Sequence, residues 1–185
     1  MDTKKRPIII DTDPGIDDAV ALAIALNHPN LEVRLITTVA GNVDVEKTTN
    51  NALKLVDFFG KKVPVAKGCN CPLLIQLEDS AEIHGETGMD GFEFPQPIST
   101  CLDIHAVEAM RKEILSSDVP LTIVPIAALT NIALLLTLYP EVKENIAEIV
   151  MMGGSLARGN TNTSAEFNTY VDPHAAQIVF QSGVP

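Results

Sequence analysis

The sequence predicts an α/β fold: a mainly parallel sheet with helices on both faces, in the Rossmann-like manner. Three observations carry this. Short apolar, β-branched runs alternate with stretches of helical apolar spacing. The alternation repeats at the interval of right-handed βαβ units. Polar clusters recur just after the strands, where such sheets bind ligands. At 185 residues, 46% hydrophobic and a mean hydropathy of +0.19, the chain suits one α/β domain over 1–185 with a sizeable core.

"RPIII" reads as a short buried strand, and "DDAVALAIALNHP" as a helix that ends at a proline. "LEVRLITTVAGN" is a second strand, closed by Gly41–Asn42. "VEKTTNNALKLVDFFG" is a helix with Gly60 as its stop signal, and "VPVAKG" is a third short strand. Residues 67–100, with "IHGETGMDG" in the middle, read as a long surface excursion of the kind that often carries function. Alternation resumes with the helix "DIHAVEAMRKEILSS", the strand "PLTIVPIA", the helix "LTNIALLLTLYP" and the strand "IAEIVMMGG". "SLARGNTNTSAEFN" is a polar loop, and "DPHAAQIVFQSG" a helix with Pro173 early and Gly183 at its end. "QSGVP" then begins another strand, and the expectation is that the domain continues past residue 185.

A formal net charge of −11 argues against nucleic-acid or anionic-membrane binding, since both need clustered Lys and Arg. No apolar run has the length of a membrane span, and "MDTKKRPIII" meets aspartates too soon for a signal peptide. Cys69, Cys71 and Cys101 lack metal or redox spacing, so they read as reduced cysteines of a cytoplasmic protein.

The chemistry concentrates in "IIIDTDPGIDDAVAL", where Asp11, Asp13, Asp17 and Asp18 follow an apolar strand. Asp17 and Asp18 would serve as helix-capping carboxylates. Capping does not account for Asp11 and Asp13, which precede a Pro14–Gly15 turn that folds one aspartate pair back toward the other. Four crowded carboxylates call for an offsetting cation, proton or hydrogen bonds, and an oxygen-rich cation site fits. An EF-hand fails, because its twelfth position is Leu22 or Ile24 rather than Glu. A strand followed by DxD also resembles Mg²⁺-dependent haloacid-dehalogenase-type phosphatases, but the usual Gly–Thr continuation is absent.

"DTDPGIDDAVAL" resembles the DxDPGxDDAxA signature of the nucleoside hydrolase (inosine–uridine preferring) family. "TTVAGN", "IHGETGMDG", "PIAALTNIA", "VMMGG" and "AEFNTYVDPHAA" resemble further family segments in the family's order. The resemblance implies Ca²⁺-dependent hydrolysis of the N-glycosidic bond of ribonucleosides, giving ribose and a free base in nucleoside salvage. It makes Asp13 and Asp18 metal ligands together with the Ile126 carbonyl, and Asp13 also the base for water. It makes Asp17, Asn42, Asn160, Glu166 and Asn168 ribose-holding residues, Met152 a pocket-lining residue, and Asp11 an orienting residue behind the ligands. His84 would lie near the nucleobase and help protonate it.

Blander readings stand beside these. Asn42 and Asn160 read equally as turn residues in left-handed geometry, Met152 as core, and His84 as bonded to its own turn. Glu166 and Asn168, two apart, would project to one side of an extended segment. The resemblance also implies a longer protein, with another aspartate ligand and, in many members, a base-contacting histidine beyond residue 185, and a homo-oligomer (dimer or tetramer). Two alternatives remain: a truncated, non-catalytic Ca²⁺- or ribose-binding fragment, and the phosphatase.

Overall fold

The computed structural model describes residues 5–185. Five parallel strands form one sheet in the order β3-β2-β1-β4-β5: β1 (Arg6–Thr12), β2 (Leu31–Thr38), β3 (Val65–Lys67), β4 (Leu121–Pro125) and β5 (Ile146–Ile149). The helices are α1 (Ile16–Asn27), α2 (Val45–Phe58), α3 (Ala81–His84), α4 (Ala106–Ser116), α5 (Thr130–Leu138), α6 (Phe167–Val171) and α7 (Pro173–Phe180). A 3₁₀ turn, Pro140–Asn145, leads into β5.

Alternation along β1 divides the core. Ile9 joins Leu35, Ile123 and the α4–α5 residues Met110, Ile114, Ile132 and Leu135 in one buried cluster. Ile8 and Ile10 join Ile36, Leu22, Leu55 and Val56 in the other. Each fully buried Ile or Leu side chain contributes about 1.5–3 kcal/mol relative to exposure, so both sheet faces are held by apolar burial, as a parallel sheet requires.

The chain moves outward from β1 through β2 to β3, then crosses back to β4 on the other side of β1. The crevice at this reversal lies beyond the carboxyl ends of β1 and β4. Asp11 pairs in register with Thr37 of β2 and Pro125 of β4, which places the aspartates at that crevice.

Carboxylates cap two helix starts, and glycines close two helix ends. Asp44 caps α2 by accepting the Lys47 N–H at 3.0 Å, and Asp172 caps α7 by accepting the Ala175 N–H at 3.0 Å. Gly60 and Gly183, after α2 and α7, take positive φ of 64° and 80°, as glycine stop signals do. After α7 the chain returns to the sheet, where the Ile149 N–H donates to the Pro185 carbonyl at 2.8 Å.

Two stretches read as loops contain short helices. α3 lies inside the 67–100 excursion, and α6 begins at Phe167 within "AEFN". The extended reading of 166–168 is therefore corrected. The Glu166 carboxylate accepts the Asn168 and Thr169 N–H groups and so turns the chain into a helix. Among the described residues, no helix is long and apolar enough to cross a membrane.

Candidate active site

A cavity of about 730 Å³ opens at the crevice. Asp13, Asp17, Asp18, Asn42, His84, Ile126, Met152, Asn160, Glu166 and Asn168 all line it, with Ile16, Val20, Ser80, Ile83 and Phe167 among their neighbours. Thus the turn after β1, α1, the turn after β2, the 67–100 excursion, the residue after β4, the segment after β5 and the start of α6 contribute to one site. Asp11 does not line the cavity; it lies fully buried, two residues before Asp13 on β1.

Hydrogen bonds set each aspartate. Asp11 Oδ1 accepts from the Thr37 hydroxyl at 2.5 Å and from Asn131 Nδ2 at 2.8 Å, while its Oδ2 is buried without a partner. Asp13 Oδ2 accepts the Asn42 main-chain N–H at 2.7 Å, and its Oδ1 is likewise buried and unpartnered. Asp18 Oδ1 accepts from the Thr12 hydroxyl at 2.8 Å. Its Oδ2 accepts the Gly15 N–H at 3.0 Å and Asn42 Nδ2 at 3.2 Å. Asp18 therefore also caps α1, whereas Asp17 is 78% exposed at the rim.

Burial pushes the Asp11 carboxyl up to about 7, against the lowering effect of its Thr37 and Asn131 bonds. Asp13 is held well above the usual carboxylate range, first by burial and then by the Asp18 charge. Asp18 is raised chiefly by burial. Two buried, unpartnered carboxylate oxygens are costly unless a positive charge or a proton meets them.

Asn42 is a bridge rather than a turn residue. Its Nδ2 also donates to the Asp13 carbonyl at 3.1 Å, and its Oδ1 accepts from the Ser80 hydroxyl at 2.8 Å. The left-handed reading of Asn42 and Asn160 is corrected, since among the described residues positive φ occurs only at glycine. Asn160 is exposed, and its Oδ1 accepts the Phe167 N–H at 2.8 Å. Glu166 Oε2 also takes the Gly154 N–H at 2.9 Å, which ties the preceding loop to α6. Asn168 Nδ2 donates to the Ile126 and Met152 carbonyls, both at 3.1 Å. Met152 is 49% exposed at the cavity and not in the core.

His84 is not bonded to its own turn through its ring. Its Nδ1 accepts the N–H of Ile16, the first residue of α1, at 3.3 Å, and lies 4.0 Å from Asp17 Oδ1. With Nδ1 accepting, the neutral ring carries its proton on Nε2. Gly41 is required by close approach: a Cβ there would lie 2.0 Å from Asp13 Oδ2.

Asp13, Asp18 and the Ile126 carbonyl offer the hard oxygen donors that Ca²⁺ takes, and the unpartnered Asp13 Oδ1 fits a cation. They supply fewer than the roughly six to eight oxygens of a Ca²⁺ shell. Among the described residues, no three His, Cys, Asp or Glu side chains are grouped so as to hold a metal.

The residues that sequence reading missed are Thr12, Thr37, Ser80 and Asn131. Only Asn131 carried a local signal, as a polar residue opening an apolar helix just beyond a strand's carboxyl end.

The chain is similar to known proteins in both sequence and structure. Residues 8–185 match the model of the inosine-uridine preferring nucleoside hydrolase family. Non-specific ribonucleoside hydrolase RihC of Klebsiella pneumoniae (strain 342) is 53% identical over 180 residues, covering 97% of this chain and 59% of its own length. RihC of Salmonella typhimurium (strain LT2) is 53% identical over 182 residues, covering 98% of this chain and 60% of its own. The solved purine-preferring ribonucleoside hydrolase from Gardnerella vaginalis superimposes with a TM-score of 0.93 at 37% identity, over 97% of this chain and 59% of that one. The chain thus spans less than two thirds of the length of these relatives.

Proposed function

The chain belongs to the inosine-uridine preferring nucleoside hydrolase family, and on that premise we propose that it hydrolyses the N-glycosidic bond of ribonucleosides with Ca²⁺ as cofactor. The observation that carries the proposal is Asp13 Oδ1, a buried carboxylate oxygen without a partner on a residue that lines the shared cavity. Nucleoside salvage in the cytoplasm and assembly as a dimer or tetramer belong to the same proposal.

Bond cleavage builds positive charge on the ribosyl carbon, as in other glycoside hydrolyses, and an acidic pocket stabilises that charge. When bound, Ca²⁺ supplies a Lewis acid that orients water and grips hydroxyl groups. Asp13, Asp18 and the Ile126 carbonyl would hold it. Asp13 Oδ1 is the acceptor for the water proton; raised basicity suits a carboxylate to that task. Asp17, exposed at the rim, accepts a ribose hydroxyl. Asn42, Asn160, Glu166 and Asn168 orient the remaining hydroxyls, with Met152 lining the pocket beside them. His84, with its proton on Nε2, offers a donor to the departing base. Asp11 holds its place behind Asp13 and orients it.

A second reading rests on a specific observation: Asp13, Asp18 and the Ile126 carbonyl line the cavity but supply only part of the roughly six to eight oxygens of a Ca²⁺ shell. On that reading the chain binds Ca²⁺ or ribose without turnover. Release of ribose from inosine, uridine and cytidine separates the two. Ribose release with Ca²⁺ present supports the hydrolase. Ca²⁺ or ribose binding without release refutes it in favour of the binding module.

A further inference from the structure

Asn131 lies outside the cavity and is completely buried, yet it touches three other parts of the chain that end near the crevice. Its Nδ2 donates to Asp11 Oδ1 on β1 at 2.8 Å and to the Thr38 carbonyl at the end of β2 at 2.9 Å. Its Oδ1 accepts the Cys69 N–H, just after β3, at 3.0 Å. Asn131 itself lies in the first turn of α5, after β4. The enclosure is tight, for a Cβ on Gly68 would lie 2.3 Å from Asn131 Oδ1.

We propose that Asn131 is a positioning residue for the aspartate cluster, holding Asp11 behind Asp13 by one oxygen. The Thr37 hydroxyl bonds to the same Asp11 oxygen, so both donors fall on Oδ1 and Oδ2 is left free. Asn is the residue that meets this geometry, because its amide presents donors on one side and an acceptor on the other. Aspartate would still accept from Cys69, but it would set a second carboxylate oxygen against Asp11. Residues behind metal-binding carboxylates fix their orientation, and their loss typically lowers metal affinity or activity about 10–100-fold.

The functional readout rests on the cation-dependent reading above; the geometry does not. The test compares the 185-residue chain with Asn131→Asp and with Thr37→Val, which removes the other donor to the same oxygen and serves if Asn131→Asp does not fold. Ca²⁺ affinity is measured by calorimetry, and the Asn42 amide resonance by NMR, because that N–H donates to Asp13. The expected result is a loss of Ca²⁺ affinity of about 10–100-fold for Asn131→Asp and a smaller loss for Thr37→Val, each with a displaced Asn42 amide resonance. A lowered melting temperature with an unchanged Asn42 resonance and unchanged affinity would show a purely structural role and overturn the proposal. If the unaltered chain binds no Ca²⁺, the cation reading falls. The Asn42 resonance then decides the proposal alone: displaced supports it, unmoved overturns it.

Discussion

The main-chain N–H of Asn42 donates to Asp13 Oδ2 at 2.7 Å, and Asp13 Oδ1 is left buried with no partner. A residue beyond β2 therefore decides which oxygen of the carboxylate that follows β1 is available for chemistry. The same Asn42 reaches Asp18 through its side chain, so one amide links both proposed ligands.

Asn42→Ala keeps the main-chain bond but removes the side-chain bonds to the Asp13 carbonyl, Asp18 and Ser80. Leaving such buried groups unsatisfied costs about 1–3 kcal/mol. Thermal or urea melts should show that loss, and ribose release should fall with it. An unchanged melt would mean that water replaces the bridge.

Gly41→Ala should be more disruptive than its size implies. The added methyl would lie 2.0 Å from Asp13 Oδ2, where a fixed carboxylate stands. Overpacking of this kind costs about 1–3 kcal/mol, and here it displaces the proposed base. Urea denaturation and turnover should both register the change. A variant with normal turnover would show that Asp13 has room to shift.

With Ca²⁺ chelated, stability should depend on pH in a defined direction. Burial raises the Asp11 carboxyl from 3.8 to about 7, and Asp13 and Asp18 are raised as well. The folded chain therefore binds more protons than the unfolded one between these values. The stability that these protons contribute is fully present below the unfolded pKa and is lost as pH rises through about 7. Melting temperature in chelator should fall from pH 5 to pH 8, and added Ca²⁺ should restore it most at pH 8. A melting temperature that rises over this range in chelator would contradict the burial argument.

Glu166→Ala removes the cap of α6 and the tie to Gly154. Loss of a helix cap costs about 0.5–2 kcal/mol. Limited proteolysis should find residues 154–165 cleaved faster, while Glu166→Gln, which keeps an acceptor, should protect them in part.

The sheet was legible because each strand and helix carries its own local pattern. Ile8–Ile10 against α1, or Leu121–Pro125 against α5, need no knowledge of the rest of the chain. The aspartates were legible for the same reason, since their crowding lies within a few residues. Their supports were not. Asn131 lies 120 residues from Asp11 and Ser80 lies 38 from Asn42, and no local period encodes such pairings. The helix α6 escaped because its cause is a capping carboxylate, Glu166, in a run rich in Asn, Thr and Ser that otherwise reads as loop.

Calorimetric titration of Ca²⁺ into the chain and into Asp13→Ala bears most directly on the central claim, that the buried carboxylates of Asp13 and Asp18 hold a hard cation. Saturable binding by the unaltered chain and none by the folded variant is the expected result. Equal affinity in both would contradict it.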